Sequence, residues 1–242
     1  MAFFIKKMVG ETGFEPATFC SQSRHSTRLS YSPSIEYIYF CLINSQTVKL
    51  YMQIIKLLKK VQLSKGFFPF WKYQFLIKSQ NKGIKPYKVF REILNVGDVV
   101  FALCYSPEEK KFYLIKQFRP FYFIRKKTLK YEIVGGLVDK GETLRQAIKR
   151  EIKEEIGVKT IKLKKLTTYC PVPGYADEIV HVYYAEVEKI NNKNTYNKFE
   201  NEEINIFKLN HKQLKKINSS GTLQNVLTKV SIYEYFNKIK KS

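Results

Sequence analysis

Along this chain the spacing of apolar positions changes repeatedly, and the changes mark the elements. Gln53 to Leu63 (QIIKLLKKVQL) carries apolar residues at helix-like steps, with a strand as the alternative. Phe67 to Ile77 (FFPFWKYQFLI) is aromatic and partly alternating, which predicts a strand. Lys88 to Ile93 and Val99 to Tyr105 predict two more strands, separated by Asn95-Val96-Gly97-Asp98. After a turn at Ser106 to Lys110, Lys111 to Phe118 predicts another. Lys130 to Val134 leads into the clearest helical period. There Leu144, Ala147, Ile148 and Ile152 make one apolar stripe, and a helix is expected from Thr143 to Ile156. Gly157 stands where a helix end wants a residue that tolerates positive φ. Lys162 to Tyr169, Glu178 to Val187 and Glu203 to Leu209 predict strands, and His211 to Lys216 and Thr222 to Lys240 predict helices. Strands, helix, strands and helices in this order define an α/β class, a sandwich built on a mixed sheet.

Composition sets bounds on this picture. The chain has 242 residues, enough for one domain with extensions or two small ones, and 44% hydrophobic residues suffice for a packed core. The formal net charge is +22, which would suit a nucleic-acid or membrane partner. The basic residues are scattered, however, and Lys, Asn, Ile, Tyr and Phe are all plentiful, as AT-rich codons give. Neither a specific nucleic acid nor a membrane is therefore expected as partner, although the charge favours anionic nucleotides. Cys20, Cys41, Cys104 and Cys170 form no C-x-x-C and fit no zinc spacing, which points to idle thiols in a reducing, cytoplasmic compartment. The apolar run Ile35 to Ile43 contains Glu36 and is far shorter than the ~20 residues of a spanning helix. No signal-peptide order of basic, apolar and small residues precedes it.

The first residues read differently from the rest. Gly10 to Pro33 lacks periodicity, and Gly13-Phe14-Glu15-Pro16 can be encoded across the T-arm of a transfer-RNA gene. Residues 1–51 are expected to be a non-native leader or a disordered tail, with Met52 as the natural start. Residues 52–92 would be a strand-rich extension and 93–242 the principal domain.

The candidate chemistry lies between Gly136 and Val158, GLVDKGETLRQAIKREIKEEIGV. Glu151 and Glu155 are four apart on the expected helix and Glu154 is three from Glu151, so the three carboxylates project as neighbours. They repel one another, and a divalent cation reverses that sign, because hard cations take carboxylate and phosphate oxygens. Arg150 is placed to orient a carboxylate. The plainer reading is a solvated face whose glutamates pair with Lys149, Lys153 and Lys159.

Gly136, Glu142, Arg150, Glu151, Ile152, Glu154, Glu155, Gly157 and Val158 together resemble the Nudix box without departure. Families with this box hydrolyse a diphosphate joined to another group, using divalent metal, and the resemblance implies the Nudix α/β/α sandwich. From about Val89 onward the chain resembles ADP-ribose and ADP-sugar pyrophosphatases. Arg91-Glu92-Ile93, Gln117-Phe118-Arg119, the lead-in Glu132-Ile133-Val134-Gly135-Gly136, Pro173 fifteen positions beyond Val158, and Glu200-Asn201-Glu202-Glu203-Ile204 carry that likeness. Gly135 stands where the family usually has alanine. The resemblance implies Mg²⁺, with Mn²⁺ as an alternative, held by the Gly135 carbonyl, Glu151, Glu155 and Glu202. It implies Glu200 as general base, Glu154 as supporting ligand, and Glu142 with Arg150 as braces of the helix. Arg91, Arg119, Glu132 and Pro173 would meet the substrate, a small nucleoside diphosphate sugar such as ADP-ribose. A homodimer is implied as well.

Two other functions compete. One keeps the mechanism and takes nucleoside triphosphates or dinucleoside polyphosphates, against which Pro173 and the acidic loop argue. The other is a non-catalytic, basic RNA-binding module on the same scaffold, which has no use for the acidic cluster that this chain keeps. The run Phe118 to Phe123 and Tyr169 or Tyr175 are expected to pack in the core rather than stack on adenine. His25, His181 and His211 lie outside the box.

Overall fold

The computed structural model describes residues 47–50, 53–191, 194–197, 202–220 and 225–239. Most of the expected leader, with Cys20, His25 and Cys41, therefore lies outside the described residues.

Two sheets organise the chain. The first is an antiparallel ribbon of β1 (Thr47–Leu50), β2 (Gln53–Ser64), β3 (Phe70–Ser79) and β4 (Tyr87–Leu94), in that order. Here the helical expectation for Gln53 to Leu63 gives way to its alternative, a strand. The β2–β3 register shifts between Leu57 and Lys59 and again between Gln62 and Ser64. Each bulge resets the alternation of sides, so the apolar residues of β2 do not keep a period of two.

The second sheet is mixed and runs β10 (Asn194–Asn197), β11 (Glu202–Leu209), β6 (Lys111–Lys116), β5 (Asp98–Ser106), β9 (Ile179–Val187) and β8 (Thr160–Tyr169). β5 is parallel to β9. It pairs with β6 over Cys104 to Ser106 and with β7 (Val134–Leu137) over Val99 to Ala102. The alternation of β5 divides two cores. Val100, Ala102 and Cys104 face Ala147, Ile148, Ile152 and Ile156 of helix α2 (Leu144–Ile156). Val99 and Leu103 face the other way, toward Leu214 of α3 (His211–Ser219) and Ile232 and Tyr235 of α4 (Val226–Lys238). Helices thus cover both faces of the mixed sheet, the expected α/β/α sandwich.

Helix α2 begins and ends where its sequence says. The Thr143 hydroxyl accepts from Gln146 N–H at 3.3 Å, and the Gln146 side chain accepts from Thr143 N–H at 2.9 Å. This reciprocal cap satisfies first-turn donors. Gly157 closes the helix at φ 73°. The strand expected to reach Phe118 stops at Lys116, and a one-turn helix α1 (Pro120–Ile124) follows. Of the aromatic run only Tyr122 is buried, while Phe118, Phe121 and Phe123 are exposed, which corrects the expectation of core packing. Proline at the first helical position pre-sets the turn, and its four apolar successors cannot all face inward from one turn.

Candidate functional site

The box folds as strand β7, a turn at Lys140 and Gly141, and helix α2. Residues 148, 151, 152 and 155 share one side of α2, so the packing that buries Ile148 and Ile152 carries Glu151 and Glu155 inward with them. Both carboxylates are buried. They sit over the two glycines of β7. The Gly135 N–H donates to Glu155 Oε2 at 3.0 Å. A Cβ on Gly136 would stand 2.4 Å from Glu151 Oε1 and 2.7 Å from its Cδ, so the missing side chain is the space that this carboxylate fills. A Cβ on Gly135 would stand 2.1 Å from the Val100 carbonyl oxygen. An alanine does not fit on this backbone path.

Arg150 uses all five of its N–H groups. Nε and Nη2 donate to the two oxygens of Glu142 at 3.1 and 3.0 Å. Nη1 donates to Glu151 at 2.7 Å and to Glu154 at 3.1 Å, and Nη2 also donates to the Leu137 carbonyl at 2.9 Å. Asp139 lies 3.6 Å from Nε. The charge partner of Glu142, Glu151 and Glu154 is thus Arg150 rather than Lys149, Lys153 or Lys159. Arg150 holds the Glu142 carboxyl below the ordinary carboxylate range, and Glu142 in turn raises the guanidinium. One guanidinium is thus shared by three carboxylates, with buried Glu155 a turn of helix away.

The remaining candidates fall into three places. Arg119 and Glu132 meet each other: Arg119 Nε donates to Glu132 Oε2 at 3.0 Å, and Glu132 is buried. Arg91 lies on β4, where its Nη1 donates to the carbonyl of Phe90 at 2.8 Å. Pro173 lines a groove of about 410 Å³ between the ribbon and the β8–β9 loop, with Tyr73, Phe75, Ile93 and Glu178. Arg91 pairs with Tyr73 across the strands and is two residues from Ile93, so it sits on the same side of the ribbon as those lining residues. Burial pushes the Glu178 carboxyl up. Glu200 and the side chain of Glu202 lie outside the described residues. Among the described residues no three Asp, Glu, His or Cys side chains converge in metal-holding geometry.

Asp177 carries a role that its local sequence does not announce. Its carboxylate accepts from the Asn95 side chain, from Val96 N–H at 2.6 Å and from Gly97 N–H at 3.1 Å. Leu94 N–H also donates to the Tyr175 carbonyl at 2.8 Å. The β8–β9 loop is thereby tied to the link between the two sheets. These partners are about eighty residues apart in the chain, beyond the reach of any local pattern.

With the helix carboxylates set over the glycines of β7, the family model described as the NUDIX domain matches residues 96–222, over half of the chain. The chain belongs to the Nudix family. It is 40% identical over 96 residues to the ADP-ribose pyrophosphatase of Bacillus subtilis, a match covering 40% of this chain and 49% of that protein, so it spans about half of that relative's length. It is 26% identical over 188 residues to the ADP-ribose pyrophosphatase of Haemophilus influenzae, covering 74% of this chain and 85% of that protein. A GDP-mannose pyrophosphatase of Cronobacter sakazakii is 26% identical over 157 residues, covering 64% and 81% of the two chains. The fold is shared with the crystal structure of an ADP compounds hydrolase at TM-score 0.59 and 13% identity, over 77% of this chain and 95% of that one.

Proposed function

We infer that this protein hydrolyses the diphosphate of a nucleoside diphosphate sugar, with ADP-ribose as the foremost substrate and AMP and ribose 5-phosphate as products. The observation that carries the reading is the pair of buried glutamates, Glu151 and Glu155, packed over Gly136 and Gly135, with Glu151 sharing Arg150 with Glu142 and Glu154. Burying like charges together costs stability unless something of opposite charge joins them. Such a donor set fits a hard divalent cation. Glu151, Glu155, the Gly135 carbonyl and Glu202 would hold Mg²⁺, which when bound neutralises phosphate charge and acidifies water.

The chain's own residues do the rest. Arg150 fixes the orientations of Glu142, Glu151 and Glu154 through four of its five bonds, so the carboxylates are set before substrate arrives. Glu200 takes the proton of the attacking water, and Glu154 supports the cluster. Arg119, oriented by Glu132, and Arg91 offer forked donors to the anionic oxygens of the diphosphate. Pro173 shapes the groove wall. The names of the relatives support the substrate class and leave the base and sugar to assay, since one of them is a GDP-mannose enzyme. The test is to incubate the protein with Mg²⁺ and either ADP-ribose or GDP-mannose and to follow release of the nucleoside monophosphate, beside Glu155→Gln. Release by the parent and its loss in the variant support the reading. A folded protein that cleaves neither overturns the substrate class.

The protein also works as a homodimer on this reading, and the ribbon supports it. No described side chain of β2, β3 or β4 is buried, and Ile54, Leu58, Val61, Leu63 and Phe90 are exposed large apolar residues. A sheet with no buried face gains little stability by itself and wants a covering layer. Light scattering should return twice the chain mass, and Val61→Lys with Leu63→Lys should return the single mass. A monomeric parent would remove the dimer.

A further inference from the structure

The segment between β6 and β7 presents an apolar tip that the proposed chemistry does not use. Phe118, Phe121, Phe123 and Ile124 are 62%, 51%, 77% and 72% exposed. Each residue advances a helix by about 100°. With Tyr122 buried, Phe121 and Phe123 flank the inward direction and Ile124 points nearly opposite to it. The turn is closed by its own hydrogen bonds. Arg125 N–H donates to the Phe121 carbonyl at 3.0 Å, Lys126 N–H to Phe123 at 3.1 Å and Lys127 N–H to Tyr122 at 2.8 Å. Lys126 takes φ 49°, the left-handed position that glycine usually fills in this type of helix stop. The tip is therefore a preformed shape and not a slack loop.

Charge accompanies it. Arg125, Lys126 and Lys127 follow directly and are all exposed. Between Phe118 and Tyr131 there is no acidic residue, and the Glu132 that follows is buried against Arg119. Large apolar side chains standing out of a basic surround match the boundary between lipid tails and anionic headgroups.

We propose that this tip docks the protein on an anionic lipid surface, with Phe121, Phe123 and Ile124 entering the headgroup boundary and Arg125, Lys126 and Lys127 contacting lipid phosphates. A two-fold contact between copies through the same patch would set the basic triad against itself. Single-stranded RNA would stack on the aromatics but finds nothing to stack on at Ile124, one of the two most exposed members. A lipid boundary accepts both kinds of side chain. Among the described residues no helix is long and apolar enough to cross a membrane, and a peripheral contact requires none. The expectation of no membrane partner rested on the scatter of basic residues along the sequence, and the fold exposes an apolar tip directly before three consecutive ones.

The full chain is sedimented with vesicles of phosphatidylcholine alone or mixed with phosphatidylglycerol, in about 0.15 M salt, where diffuse attraction from the net charge is screened beyond about 8 Å. Binding to the mixed vesicles only is expected. Phe123→Ser with Ile124→Ser keeps every charge and should weaken that binding at least about tenfold, given the apolar area each side chain buries. Arg125→Ser with Lys127→Ser should weaken it too. Both double variants should keep the parental melting temperature, since these side chains are exposed. Phe123→Trp should gain blue-shifted emission on addition of mixed vesicles. The proposal is overturned if the parent ignores both vesicles, or if the apolar double variant binds as well as the parent. It is equally overturned if the apolar substitutions change the solution mass, or abolish single-stranded RNA binding and leave vesicle binding intact.

Discussion

Arg150 is the residue on which the geometry of the site depends, and Glu142 is its most engaged partner. Two of its five bonds end on that carboxylate, which lies below the ordinary carboxylate range because of them. A carboxyl depressed on folding stabilises the fold above its unfolded pKa of about 4.3, and the contribution disappears as pH falls through the lower folded value. Glu142→Gln should therefore melt below the parent at neutral pH, and the two curves should converge in acid. A gap that persists at low pH would mean that Glu142 acts through packing. The adjacent glycines separate site from fold in a second way. Gly136→Ala collides only with the end of the Glu151 side chain, so the carboxylate must leave its place on Arg150 while the backbone stays. Activity should fall by up to about a hundredfold, as misplacement of a catalytic group does, with little change in melting temperature. Gly135→Ala collides with the backbone of Val100 and Phe101 at a φ of 156°, and should cost about 1–3 kcal/mol of stability. Equal behaviour of the two in unfolding and turnover would erase the distinction.

At the scale of elements, what could be read in advance was what local chemistry determines. Helix α2 announced its buried face through Ala147, Ile148 and Ile152 and its end through Gly157, and the structure adds the reciprocal Thr143–Gln146 cap at its start. The strands of the sandwich were legible because β5 and β9 are rich in apolar residues and bounded by turns. β2 was ambiguous because two bulges break its alternation, and because no tightly buried face forces its apolar residues onto one side. The tip at α1 departs from its sequence expectation for a related reason. Aromatic content signals burial on average, but a single turn that commits Tyr122 inward must turn its neighbours out. At the site, the box residues are legible from their spacing, and the family resemblance implies Glu142 and Arg150 as braces of the helix. The Leu137 carbonyl as fifth acceptor is not legible, because a backbone oxygen leaves no mark in sequence.

At the scale of the whole molecule, the feature that no stretch of sequence displays is the joint between the ribbon and the sandwich. Asp177 gathers Asn95, Val96 and Gly97, and Leu94 bonds back to Tyr175, so the β8–β9 loop and the strand that bears Arg91 are held against each other. The groove lined by Tyr73, Ile93, Pro173 and Glu178 lies across this joint. Hydrogen bonds therefore help to set its width, since neither Pro173 nor Tyr73 is buried. Removing Asp177 should leave the box untouched, because Arg150 bonds Leu137, Glu142, Glu151 and Glu154, and Glu155 bonds Gly135, all between Gly135 and Glu155. Asp177→Ala should then cost roughly 1–2 kcal/mol of stability, the modest net worth of exposed charged hydrogen bonds. In steady-state assays with ADP-ribose it should raise KM severalfold while kcat stays near the parental value, because binding across the joint is loosened and the chemical groups are not. A fall in kcat at constant KM would show instead that the joint reaches the box, and that ribbon and sandwich position the carboxylates together.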